Sequence, residues 1–206
     1  GETCSFEKGK YWVNSKPNDF IIAADSGFEN CLNFQEKPNL LIGDFDSINK
    51  ELIPAIKDFE VREWPKDKDF TDTELALIEA KKYQKDSFII LVGGDGGRLD
   101  HLFGIKHIFE TENYPNIWVA KNQIALCLDF NSDFKQIKIG NINPDDAISV
   151  FPVFAHKNEK YKIESHNLKW SLNDVKWEEN QISLSNRLKI QNDDCKFSAK
   201  YGRFLI

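Results

Sequence analysis

The stretch Phe88–His101 reads FIILVGGDGGRLDH and decides the fold class of this chain. It opens with an unbroken apolar run, which is typical of a strand covered on both faces in a parallel sheet. The glycines that follow predict a tight loop. Beyond the loop, Leu102, Ile105 and Phe109 recur at helical spacing and predict a helix over Asp100–Glu110. A strand, a glycine loop and a helix in this order indicate an α/β domain with crossover connections.

The pattern extends outward through the first 121 residues. Three further apolar runs predict strands, at positions 20–24, 40–42 and 117–120. A helix is predicted between the last two of these over Asp72–Tyr83, where Leu75 and Ile78 share one face. We therefore predict that residues 1–121 form an α/β domain built on a parallel sheet.

The texture of the sequence changes at about Asn122. Glycine becomes scarce, and no convincing amphipathic helix follows. Short β-rich runs alternate with polar turns, at positions 124–128, 148–154, 161–163, 181–184 and 195–197. Residues 122–206 are therefore predicted to form a separate all-β domain.

Composition excludes several classes of protein. The 206 residues carry a net charge of −6, and the sequence contains no basic stripe with interleaved aromatic residues. Nucleic acid is therefore not expected as a partner. The longest apolar run is far shorter than the roughly 18 residues that a membrane helix needs, and no leader peptide is expected. The cysteines form no C-x-x-C pair, so neither a zinc site nor a disulfide framework is expected. The four cysteines are Cys4, Cys31, Cys127 and Cys195. Their lack of pairing predicts a reducing, cytoplasmic location for the protein.

Gly43–Ser47 reads GDFDS and directly follows a predicted strand. Positions two apart in extended chain face the same way, so Asp44 and Asp46 would present two carboxylates together. Such a pair repels unless a cation lies between its members, and hard oxygen ligands suit Mg²⁺. An ordinary Asp-rich turn after a strand is the alternative.

The segment Lys66–Glu74 leads into the first predicted helix. Thr71 followed by Glu74 predicts a capping box, and the aspartate between them suits the helix dipole. That interpretation leaves Asp69 and the neighbouring Lys68 unexplained. Mixed aspartates and lysines beside a helix N-terminus would also suit a complex of metal and phosphate.

The glycine loop Gly93–Gly97 is followed by Arg98. Glycines let the backbone approach a phosphate, the N–H groups of a helix start attract it, and an arginine can bind its oxygens as a fork. A merely flexible turn is the alternative. Because ligands of open parallel sheets bind beyond the carboxyl ends of the strands, this loop, Asp25 and the GDFDS aspartates are predicted to gather in one region.

Trp170 is the most prominent aromatic residue of the second half. Its indole could stack on a flat cationic ring. Spacing alone favours a core position instead.

Four motifs in this order resemble thiamine pyrophosphokinase, also called thiamine diphosphokinase: Ala24–Gly27, Gly43–Ser47, Lys68–Leu77 and Gly96–His101. Three segments of the second half are similar to that family as well, Ser149–Pro152, Asn167–Trp170 and Ser185–Asn186. The resemblance implies an α/β catalytic domain followed by a β-sandwich that helps to bind thiamine. It implies a homodimer with thiamine near the interface, and transfer of the diphosphoryl group of ATP to the thiamine hydroxyl, giving AMP and thiamine diphosphate.

The resemblance also implies residue roles. Magnesium and the triphosphate would be held by Asp44, Asp46, Asp69 and Asp72. Further ATP contacts would come from Asp25, Lys68, Gly97 and Arg98. The thiamine site would be lined by Asp100, which would contact the aminopyrimidine, and by Trp170, Ser185 and Asn186. Catalytic roles would fall to Asp46, Asp72, Arg98 and Asp100, with Asp72 and Asp100 as candidate general bases.

Two alternatives stand beside this hypothesis. One is another Mg²⁺-dependent phosphotransferase or phosphohydrolase, and the other is a thiamine-binding protein without activity. Members of the family begin with a strand that leads into Gly-Glu, and here Gly1-Glu2 opens the chain. That first strand is therefore expected to be missing from this sequence.

Overall fold

The computed structural model describes residues 16–46, 48–49, 51–65, 69–96, 98–153, 160–179 and 181–206. Tertiary contacts divide the chain into two compact units. One runs to Ile108 and includes Asn113–Ile124, and the other consists of Phe109–Glu112 and Ala125–Ile206. No helix in the described part of the chain is long and apolar enough to cross a membrane.

The first unit alternates strands and helices: β1 (Ile22–Ala24), α1 (Gly27–Asn33), β2 (Leu40–Gly43), α2 (Ile53–Ile56), β3 (Glu60–Glu63), α3 (Asp72–Tyr83), β4 (Ile90–Val92), α4 (Leu99–Ile108) and β5 (Ile117–Val119). β1, β2 and β3 pair in parallel in that order, and β4 pairs in parallel with β5. The α/β class predicted from the sequence is confirmed.

β2 is the most deeply buried strand of this unit, because successive side chains enter cores on opposite faces. Leu41 packs with Ala23 and Phe28 on one face. Leu40 and Ile42 pack with Leu75 of α3 on the other. This two-sided burial explains the uninterrupted apolar run in the sequence.

The apolar run Phe88–Val92 departs from the same expectation. Only Ile90–Val92 forms a strand, and the side chains of Ile90 and Val92 are 40% and 36% exposed. The prediction that this run is covered on both faces is wrong for these residues. All three residues of the strand line an open cleft.

The second unit contains β6 (Ile124–Asp129), β7 (Gln136–Ile139), β8 (Ile148–Val153), β9 (Lys162–His166), β10 (Ser183–Asn186), β11 (Cys195–Tyr201) and β12 (Arg203–Leu205). All of its strand pairs are antiparallel among the described residues. β10, β8, β12 and β6 are neighbours in that order, and β11 lies between β7 and β9. A 3₁₀ turn at Trp177–Glu179 is its one helical element in the part of the chain described.

One core serves both sheets of this unit. Val150 and Phe204 enter it from one sheet, and Ile163 and Phe197 enter it from the other. Phe204 also meets the ring of Trp177 edge-on at 5.3 Å between centroids. Alternating inward side chains from two sheets therefore hold the unit together without a helix layer.

A buried ion pair lies in the same unit. Arg203 donates from Nε to Asp129 Oδ2 at 2.9 Å, and both residues are 5% exposed. Its Nη1 donates to the carbonyl oxygens of Phe109 and Thr111 at 2.7 and 2.9 Å. Arg203 therefore attaches the segment Phe109–Glu112 to β12.

Candidate active site

Two parallel strands bring the first acidic residues together. β1 and β2 run side by side with Ala24 opposite Ile42, and Asp25 N donates to the Ile42 carbonyl at 2.8 Å. Asp25 therefore leaves β1 beside the point where Asp44 leaves β2. Carboxylate oxygens of Asp25, Asp44 and Asp46 all lie within 4.8 Å of one another.

The backbone turns sharply to aim these carboxylates. Asp25 and Phe45 adopt left-handed conformations with φ of 47° and 57°. Asp44 Oδ1 accepts a hydrogen bond from Asp46 N at 3.2 Å, which folds the turn so that the two aspartates share one side. Asp44 and Asp46 therefore present their carboxylates together, as the sequence predicted.

Helix α3 brings Asp72 to the same place. Thr71 caps the helix: its Oγ1 accepts from Glu74 N at 3.2 Å, and its own N–H donates to Glu74 Oε2 at 2.8 Å. Asp72 is the first residue after this cap, and its Oδ1 lies 3.3 Å from the place a Cβ at Gly43 would take. The capping box is confirmed, and the predicted site residue Asp72 directly follows the capping residue Thr71.

Two predicted residues of the same site fall outside the described residues, Lys68 and Gly97. Asp69 is described, but the carboxylate cluster found among the described residues contains neither Asp69 nor Asp72. Asp25 takes part instead. Its signal in the sequence was its place directly after a strand parallel to the one that precedes Asp44.

The glycine loop leads from β4 to α4. Gly93 and Gly94 have φ of 86° and 81°, which L side chains rarely adopt. Arg98 then forms a fork with Asp100: Nε donates to Oδ1 at 3.1 Å and Nη2 donates to Oδ2 at 2.5 Å. The hydrogen bond from the Arg98 guanidinium lowers the pKa of Asp100 to about 2.

All of these features border one cleft of about 1390 Å³ in the first unit. Its lining includes the predicted residues Asp25, Asp44, Asp46, Asp72, Arg98 and Asp100. The arrangement sets carboxylates on one side and an arginine at the start of a helix on another. Such a cleft can hold a divalent cation together with phosphate groups.

The predicted residues of the second unit lie on two neighbouring segments, which hydrogen bonds between Asn186 and Trp170 join. Trp170 is 52% exposed, so the core position that its spacing favoured is wrong. Lys169 Nζ lies 4.8 Å from the centroid of the indole ring. Ser185 has φ of 55°, and its N–H donates to Ser149 Oγ at 3.3 Å. Asn186 is 1% exposed and bonds to the backbone of Trp170.

Residues 10–119 match the sequence model of the thiamin pyrophosphokinase catalytic domain. The chain belongs to the thiamin pyrophosphokinase family. The match covers more than half of the chain and includes the strands, the capped helix and the glycine loop that build the cleft. The resemblance of the four motifs to this family is therefore confirmed.

A curated relative with a similar sequence is also a thiamin pyrophosphokinase. Thiamin pyrophosphokinase 1 of Caenorhabditis elegans is 31% identical over 111 residues, a match that spans 44% of this chain and 44% of that relative. The chain thus matches less than half the length of that curated relative.

Solved structures of the thiamin pyrophosphokinase family share the fold. The enzyme of Geobacillus thermodenitrificans is 25% identical in sequence and has a TM-score of 0.69. The superposition covers 93% of this chain and 86% of the Geobacillus chain. A family protein of Enterococcus faecalis is 19% identical, covers 91% and 86%, and also has a TM-score of 0.69. At that lower identity the likeness shows the fold alone.

Proposed function

We propose that this chain is a thiamine pyrophosphokinase, which transfers the diphosphoryl group of ATP to the hydroxyl group of thiamine and releases AMP. The observation that carries this proposal is the cluster of Asp25, Asp44 and Asp46, with carboxylate oxygens within 4.8 Å of one another at a large cleft. The family match supports the same reaction, because residues 10–119 include every element of the cluster.

The carboxylate cluster fits Mg²⁺. Opposite ligands of an octahedral magnesium ion are about 4.2 Å apart, close to the spread of these oxygens. Asp25, Asp44 and Asp46 would hold the ion, with Asp72 at the edge of the cluster and Asp69 in the segment before α3. Bound Mg²⁺ supplies charge neutralisation for the triphosphate and orders its oxygens.

The phosphates of ATP would lie between these carboxylates and the start of α4. Arg98 binds Asp100 through Nε and Nη2, so a phosphate oxygen would bind at Nη1. Lys68 and the Gly97 backbone would add a charge and an N–H donor. These groups neutralise the charge that shifts toward the leaving group.

The thiamine hydroxyl would attack the β-phosphorus in a single in-line displacement, which needs positioning more than covalent help. The hydroxyl proton requires an acceptor. A carboxylate with a pKa of about 2, such as Asp100, accepts a proton poorly at neutral pH. This leaves Asp72, which lies beside Asp25 at Gly43, as the candidate base, while Asp46 positions the phosphate and Asp100 binds the aminopyrimidine.

We assign thiamine binding to the second domain, residues 122–206, as a β-sandwich that follows the parallel-sheet catalytic domain, residues 1–121. Trp170 supports this assignment, because an exposed indole is a surface on which a cationic ring stacks. Ser185 would contribute a hydroxyl from the neighbouring strand β10. The active form would be a homodimer with thiamine near the interface.

A cytoplasmic location is part of the proposal. Cys31, Cys127 and Cys195 are free thiols, and burial raises the pKa of Cys127 to about 12. Unpaired, buried thiols are typical of proteins from a reducing compartment. Nucleic acid and membranes are not proposed as partners.

Product analysis with Mg²⁺-ATP, with and without thiamine, tests the reaction. We expect AMP and thiamine diphosphate in equal amounts, and only when thiamine is present. Formation of ADP or free phosphate would assign the site to another phosphotransferase or phosphohydrolase. Thiamine binding without turnover would indicate a binding protein.

A further inference from the structure

Asn186 has its whole hydrogen-bonding capacity filled inside the protein. An asparagine side chain offers two N–H donors and an oxygen with two lone pairs. Its Nδ2 donates to the Trp170 carbonyl at 2.8 Å and to Ser183 Oγ at 3.5 Å. Its Oδ1 accepts from Trp170 N at 3.1 Å and from Arg187 N at 2.9 Å. With 1% exposure, this side chain retains no donor or acceptor for a ligand.

The two bonds to Trp170 replace a missing piece of backbone pairing. Leu168 and Leu188 form an antiparallel bridge, and Lys169 N donates to the Arg187 carbonyl at 2.8 Å. At Ser185 the backbone is left-handed, and the register shifts within β10. The backbone cannot continue the ladder there, so the side chain of Asn186 bonds to both the N–H and the carbonyl of the next residue across.

These two hydrogen bonds fix the main chain of Trp170, whose aromatic ring is exposed. Trp170 is 52% exposed, and the amine of Lys169 lies within cation–π distance of it, 4.8 Å from the ring centroid. Hydrogen bonds at both backbone polar atoms of Trp170 fix the point of the main chain from which its ring projects. Pre-placing such a ring reduces the entropy lost when a flat cation stacks on it.

We propose that Asn186 is a positioning residue that presents the Trp170 indole to the thiazolium cation of thiamine and does not itself contact thiamine. The proposal rests on the proposed function, because it assigns the cation to that substrate. It replaces a role for Asn186 as a lining residue of the thiamine site.

Asn167 provides a matched control in the same unit. It is 8% exposed, and its Nδ2 donates to the carbonyls of Ile190 and Asp193 at 3.0 and 3.1 Å. Its Oδ1 accepts from Ile190 N at 2.7 Å. Asn167 thus holds a different turn with the same chemistry, and its loss should cost stability while both hydrogen bonds from Asn186 to Trp170 remain.

The kinetic experiment compares Asn186→Ala and Asn167→Ala in wild-type and Trp170→Ala backgrounds. We expect Asn186→Ala to raise KM for thiamine about tenfold, with kcat and KM for ATP nearly unchanged. In the Trp170→Ala background it should add almost nothing, because the ring that it positions is gone. An equal rise from Asn167→Ala, or an undiminished rise without Trp170, would overturn the proposal.

A second readout does not depend on turnover. The Trp170 amide should exchange its hydrogen faster in Asn186→Ala than in Asn167→Ala, because its acceptor is lost. Asn186→Asp keeps that acceptor and loses the donor, so it should protect the amide while still raising KM for thiamine. If wild-type protein makes no thiamine diphosphate, the proposed function fails, whereas unchanged Trp170 exchange in Asn186→Ala contradicts the positioning role alone.

Discussion

The Asp72 carboxylate lies against the bare backbone of Gly43, with Oδ1 3.3 Å from the position that a Cβ would occupy there. The Cβ of Asp25 is equally close, at 3.3 Å, to that position. Because Gly43 has no side chain, the first turn of α3 can approach the ends of β1 and β2. Its φ of 146° also lies where L side chains rarely occur.

Gly43→Ala should impair turnover more than it impairs folding. The new methyl group would push Asp25 and Asp72 aside by a few tenths of an ångström, and since a misplacement of about 1 Å can cost about 10²-fold in rate, we expect a loss of up to that size. Backbone strain should lower the free energy of unfolding by about 1–3 kcal/mol. Gly104→Ala is the stability control, since nothing lies within 4 Å of a Cβ there. Wild-type rates in Gly43→Ala would show that the approach of Asp72 has no part in the reaction.

Asp46→Asn should nearly abolish turnover and leave the fold intact. The amide keeps the size of the side chain but removes one of the three negative charges of the cluster. Initial rates against Mg²⁺ concentration should show a half-maximal point raised by at least about tenfold. The free energy of unfolding should change by less than about 0.5 kcal/mol, because the residue is exposed. The exposed Asp58, changed to Asn, is the control, and an equal effect there would contradict the assigned role.

Asp100 should remain ionised at every pH at which the protein is folded and assayed. The hydrogen bond from Arg98 depresses its folded pKa to about 2, below the roughly 3.9 of an unfolded chain. The associated stabilisation is present above about pH 3.9 and is lost as the pH falls toward 2. Carboxyl NMR titration should find this pKa near 2 in the wild type and near 3.9 in Arg98→Met. A pKa above 5 in the wild type would contradict the ion pair.

Arg203→Met should strongly destabilise the second unit. It leaves Asp129 buried without its cation and leaves the carbonyls of Phe109 and Thr111 without their donor. Breaking a buried pair in this way costs about 3–5 kcal/mol. Urea unfolding measures the loss, and adding Asp129→Leu should recover part of it. A loss below about 1 kcal/mol would show that the pair is unimportant for stability.

Short-range signals in the sequence were sufficient for several features. Helix α3 begins and ends at Asp72 and Tyr83 as its spacing predicts, since the capping box that starts it lies within four residues. The Asp44 and Asp46 pair likewise depends on one turn. The strand β3 (Glu60–Glu63) was missed, because its single apolar residue gives no pattern and its pairing with β2 places it.

What the sequence by itself determined is therefore the order of elements, the family motifs and the paired carboxylates of one turn. Tertiary structure alone decided that Asp25 comes within 4.8 Å of that pair, that Asp72 approaches Gly43, and that the polar atoms of Asn186 point inward. The physical reason is that the stabilising contacts of these two groups of features come from different parts of the chain. Caps and turns are stabilised by neighbours within a few residues, whereas these contacts depend on partners that only strand pairing and core packing bring near.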